Sequence, residues 1–100
     1  MAYVYILHST STNYYYTGSC KNLTSRLNEH RTHLYTNSFT ARASDWEVFL
    51  VIENLEYQQS RKIESHIKRM KSKTFIENLK KYPELIEKLK RKYSQTGSFR

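Results

Sequence analysis

Eight consecutive residues, Trp46-Glu47-Val48-Phe49-Leu50-Val51-Ile52-Glu53, form a nearly continuous apolar run that constrains the architecture more than any other segment. Its β-branched and aromatic content makes it the strongest strand in the chain. A strand with so little polar alternation predicts cover on both faces, as a sheet between helices supplies.

Two further strands are expected upstream. Tyr3-Val4-Tyr5-Ile6-Leu7-His8 has strand composition, Ser9 through Asn13 is polar turn material, and Tyr14-Tyr15-Tyr16-Thr17 returns as a second strand. The short connection predicts an antiparallel hairpin. Gly18 is read as ending the second strand where a bulky side chain is excluded. Asn22 is a good N-cap for a helix from Leu23, in which Leu23 and Leu27 pair while Arg26, His30 and His33 mark another face. Residues 35–45 read as a loop.

After the apolar strand the period becomes helical. Ile63, Ile67 and Met70 form a stripe over Tyr57–Met70, and a second helix carries Phe75, Ile76 and Leu79. Pro83 either interrupts that helix or starts another, bearing Leu85, Ile86 and Leu89. The expected order is β-β-α-β-α-α with an extra C-terminal helix open. This is an α+β domain over residues 1–92, built on a small three-stranded antiparallel sheet flanked by helices, with a flexible tail over 93–100.

One hundred residues hold one core, and an aromatic content of 14%, including nine tyrosines, argues against disorder. The single Cys20 forms no internal disulfide, which suits a reducing cytoplasm. No apolar run is long enough to span a bilayer and no leader pattern opens the chain, so no membrane partner is expected. The charge is asymmetric. Residues 1–56 carry four basic and five acidic side chains, whereas residues 57–100 carry thirteen and four. A basic half is the footprint of a polyanion such as nucleic acid, or simply a solvated helical surface.

No metal-binding Cys/His spacing, phosphate-binding glycine loop or nucleophile elbow occurs. The chemistry-bearing residues lie elsewhere. By strand period Tyr5 shares a face with Tyr3 and Leu7, and Tyr14 with Tyr16, so matched faces across the hairpin put Tyr5 and Tyr16 in one cleft. Plain ring packing is the competing account. Arg26 and His30 stand one helical turn apart; the first offers a fixed fork of donors to a phosphate, the second a proton near neutral pH. Glu64 sits among bases. It is either a carboxylate for Mg²⁺ or the i, i+4 partner of Lys68, and the residues alone leave both open.

This ordered set resembles the GIY-YIG nuclease superfamily, and is most similar to small stand-alone bacterial members related to the N-terminal nuclease domain of the excision-repair protein UvrC. Tyr3-Val4-Tyr5 corresponds to the first motif and Tyr16-Thr17-Gly18 to the second; Lys21 through His30 follows as the helix, Trp46–Glu53 as the third strand, and Glu64 as the metal-binding glutamate. The first motif lacks glycine and isoleucine, and Ser19 stands where UvrC-like members carry lysine. Asn78 is a loose match to a late asparagine near the metal.

The resemblance implies divalent-metal-dependent endonucleolytic hydrolysis of DNA, with RNA open as a substrate, using one Mg²⁺ or Mn²⁺ held by Glu64. A tyrosine of the Tyr5/Tyr16 pair is then the general base, with Arg26 and His30 on the phosphate or the tyrosine. Lys21, Lys68, Lys71 and Lys73 are the expected nucleic-acid contacts. The rival reading is a non-catalytic nucleic-acid-binding module on the same fold.

Overall fold

The computed structural model describes residues 1–32, 43 and 45–94, with the backbone alone at residues 29–32. Strands β1 (Ala2–Ser9) and β2 (Tyr14–Cys20) form the hairpin. Helix α1 (Leu23–Thr32), strand β3 (Trp46–Leu55) and helices α2 (Tyr57–Met70), α3 (Lys73–Lys81) and α4 (Pro83–Lys92) follow. The open question of a last helix is answered by Pro83, which occupies the first turn of α4, where its missing N–H has no intrahelical acceptor to lose.

The sheet is antiparallel in the order β2-β1-β3. The central strand is therefore β1, and it is β1 that is covered on both faces. Val4 and Ile6 turn toward Ile63, Ile67, Ile76, Leu79 and Leu89 of α2–α4, while Tyr5 and Leu7 turn toward Leu23 and Leu27 of α1. The expectation of full cover for Trp46–Glu53 is corrected. As an edge strand β3 leaves Glu47, Val48 and Glu53 exposed, with Val48 at 48%. Its pairing with β1 shifts register twice, and Asn54 adopts a left-handed φ of 60° beside one shift, the local twist of a bulge.

Gly18 does not end β2. The ladder continues through Tyr5↔Gly18, Val4↔Ser19 and Tyr3↔Cys20. The hairpin turn closes with Asn13 at φ 57°, its N–H donating to the Ser9 carbonyl at 2.7 Å. Asn22 caps α1 as expected, its Oδ1 accepting from the Ser25 N–H at 2.9 Å. Met70 departs from its expected stripe. Ile63 and Ile67 are buried, but Met70 in the last turn of α2 is 46% exposed because Lys71 turns the chain away in a left-handed cap. At the start of the expected tail, Tyr93 packs on the core and its hydroxyl lies 2.8 Å from His66 Nδ1. The loop expected at 35–45, apart from residues 43 and 45, lies outside the described residues, as do His33 and residues 95–100. Among the described residues, no helix is long and apolar enough to cross a membrane.

Asp45 ties the entry of β3 to the hairpin turn, accepting from Ser9 Oγ at 2.6 Å, Ser11 N–H at 2.8 Å and Ser11 Oγ at 3.0 Å. These donors, the Ser9 hydroxyl foremost, hold its carboxyl down at about 2. A folded-state pKa below the unfolded one contributes stability that is complete above about pH 4 and is lost as pH falls toward about 2. The melting-temperature gap between wild type and Asp45→Asn should therefore narrow across that window. A gap that stays constant in pH-dependent thermal melts would refute the assignment.

Candidate active site

Four elements converge on a cleft of about 660 Å³ along the outer edge of β2, which no described strand covers. Alternation sends Tyr16 and Gly18 to the α1 face and Ser19 to the α2 face, and at this free edge side chains of both faces line one cleft. From β1 comes Tyr5, from α1 Arg26, and from α2 Tyr57, Arg61, Glu64 and Lys68.

Tyr5 is fully buried, and its place depends on Gly18. A Cβ at residue 18 would lie 2.5 Å from the Tyr5 hydroxyl oxygen and 2.6 Å from its Cζ. The glycine is needed for this close approach rather than for backbone freedom, since its φ is not positive. Burial pushes the Tyr5 hydroxyl well above the ordinary tyrosine range, and a hydrogen bond from Arg26 together with its charge only partly offsets this. The Tyr16 ring lies 6.4 Å from that of Tyr5, is half-buried, and has Lys68 Nζ 5.8 Å from its centroid.

Glu64 is the one carboxylate among the described residues lining the cleft, and it is largely shielded, with 16% of its side chain exposed. Ser19 Oγ donates to its Oε1 and Lys68 Nζ to its Oε2 at 2.7 Å, with Arg61 Nε 3.9 Å from Oε1. No group of three or more acidic, histidine or cysteine side chains gathers among the described residues. A protein-built cage for a soft or calcium-like ion is therefore not formed there. A single hard oxygen ligand beside a roomy polar cleft does fit Mg²⁺, which keeps several waters and binds through one or two carboxylates plus substrate phosphate.

The expected residues are thus partly assembled. Tyr5, Tyr16, Arg26, Glu64, Lys21 and Lys68 share the cleft, with Lys21 Nζ 4.7 Å from the Tyr57 ring centroid. Lys71 and Lys73 line an adjoining groove instead. Asn78 lies on α3 outside the cleft lining, its backbone carbonyl accepting the Tyr82 N–H. His30 belongs to α1, but its side chain is outside the described residues. Ser19, Tyr57 and Arg61 were not anticipated as site residues. The last two were accessible in principle, because positions 57, 61, 64 and 68 repeat at helical spacing. Nothing in the sequence marks Ser19 as the donor to Glu64.

A family model described as the GIY-YIG catalytic domain matches residues 1–82. No curated protein and no solved structure matches the chain.

Proposed function

This chain belongs to the GIY-YIG family, a nuclease superfamily, and from that premise we propose that it is a divalent-metal-dependent endonuclease hydrolysing DNA phosphodiesters. The observation that carries the reading is the meeting of Tyr5, Tyr16, Arg26 and Glu64 at one cleft although they come from four elements.

Arg26 supplies a permanent cation with fixed donors for a phosphate oxygen, and the Tyr5 hydroxyl holds it in place. Tyr5 is a poor proton acceptor in this setting, since burial opposes formation of its phenolate. We therefore assign the general base to Tyr16, which is more open and has Lys68 near its ring. An ordinary tyrosine titrates near about 10, so cationic charge beside Tyr16, here the Lys68 ammonium, is needed to favour the phenolate during the reaction. Glu64 would hold the divalent ion, which when bound supplies charge to polarise the phosphate and stabilise the leaving oxygen. Ser19 orients the Glu64 carboxylate, and Lys68 neutralises it until substrate phosphate competes for the ammonium.

Labelled single-stranded and duplex DNA incubated with Mg²⁺, Mn²⁺ or EDTA tests this directly. Cleavage is expected only with metal, and Arg26→Ala should lower its rate by about 10²–10³-fold, the usual loss for one preorganised donor at developing charge. Absence of metal-dependent cutting, or cutting indifferent to Arg26→Ala, would sink the assignment. One observation favours a second reading, a binding module without catalysis: both Glu64 oxygens already have donors on them. That reading predicts salt-sensitive DNA binding with no turnover under any metal.

A further inference from the structure

Beside the cleft lies a second groove of about 540 Å³, between the start of β2 and the turn joining α2 to α3. Tyr16 and Lys68 line both depressions, so the two are continuous. The groove is chemically different from the cleft. One wall is the tyrosine run of β2, with Tyr14 37% exposed; the other, from α2, α3 and the turn between them, carries Lys68, Lys71 and Lys73 beside the buried Ile67 and Ile76. Among the described residues lining it there is no carboxylate, and neither Lys71 nor Lys73 enters an ion pair with a described residue. Tyr15 is a fixed wall. Its hydroxyl donates to Glu77 at 3.2 Å and its ring meets Phe49 edge-on at 5.2 Å.

An aromatic face opposite a row of ammonium groups matches a nucleotide, which presents a flat base and an anionic phosphate a few ångströms apart. The geometry along α2 agrees. Arg61, Glu64 and Lys68 follow one face of α2, and Lys71, the C-cap of that helix, carries the basic edge on from the cleft into the groove. We infer that this groove is a nucleotide subsite: it takes the residue of the substrate strand next to the scissile phosphate, with the base on Tyr14 and the flanking phosphates on Lys71 and Lys73. The inference rests on the nuclease reading for its placement beside a scissile phosphate, but the groove's own chemistry is independent of turnover.

Fluorescence anisotropy with a labelled oligothymidylate in EDTA, over a range of KCl concentrations, tests it. Tyr14→Ala should weaken binding about 10-fold at every salt concentration, as loss of one stacking platform does, whereas Tyr14→Phe should bind as wild type. The pair Lys71→Asn with Lys73→Ala should instead flatten the salt slope by about 1.4, two phosphate contacts on a single strand; asparagine is chosen because residue 71 has φ 48°. An oligonucleotide with one abasic position should lose affinity for wild type at a single register and lose none for Tyr14→Ala. Wild-type affinity in Tyr14→Ala, or a Tyr14→Ala defect that vanishes at high salt, would overturn the subsite. Metal-dependent cleavage accompanied by that result would leave the nuclease reading standing, and the expected binding pattern without cleavage under any metal would remove the nuclease reading while retaining the groove as a nucleotide site.

Discussion

Replacing Glu64 by glutamine is expected to lower metal-dependent cleavage by about 10³-fold or more while leaving the fold intact. The substitution preserves shape and the capacity to accept from Ser19, so the local packing survives. What it removes is the anionic ligand, and with it several kcal/mol of charge stabilisation at the reacting phosphate, where each ~1.4 kcal/mol is a factor of ten. The Lys68 partner is about half exposed, so the lost ion pair should cost no more than about 1 kcal/mol of stability. Single-turnover cleavage rates and thermal melts measured on the same samples separate the two effects. An unchanged rate would show that Glu64 does not hold the ion, and a collapse of the melting transition would show that its role is structural.

Gly18→Ala should damage both stability and activity. The added methyl would meet the Tyr5 hydroxyl and Cζ at less than 3 Å, and that ring is fully buried in a cluster with Leu7 and Cys20, so it cannot yield without disturbing its neighbours. Overpacking of this kind costs about 1–3 kcal/mol, and each ~1 kcal/mol lowers the melting temperature of a domain this size by about 4–8 °C. Any shift of Tyr5 also moves the group that holds Arg26, and a displacement of about 1 Å in such a site costs about 10²-fold in rate. A double-mutant cycle identifies the cause. In a Tyr5→Leu background Gly18→Ala should lose most of its stability cost; an equal cost in both backgrounds would refute the steric account.

Much of the fold was legible because local chemistry spoke for it. The hairpin followed from β-branched and aromatic runs around a polar turn, Asn22 announced α1, and the helical period placed Tyr57–Met70 at its observed bounds. That Tyr5 and Tyr16 share a face of the hairpin also followed from period-two alternation. The failures share a cause. Trp46–Glu53 looked like the covered strand because its own composition is the most apolar, but cover is decided by position in the sheet, and β1 occupies the centre. Gly18 looked like a terminus because glycine commonly ends strands, whereas here it makes room for a ring supplied by the neighbouring strand.

By itself the sequence determined the kinds of groups available: two tyrosine strands, an arginine on the following helix, a lone acid within a basic helix, and thirteen cations in the second half. Those are properties of composition and spacing, which short-range sterics and periodicity read out. Only the tertiary structure decided that these groups face one another. Ser19 and Glu64 are separated by 45 positions and joined by a hydrogen bond, and Tyr5 reaches the cleft only over the bare Cα of Gly18. Placing β2 at an open edge brings side chains from opposite faces of the sheet to one cleft, and strand order is set by burial over the whole chain rather than by any local run of residues.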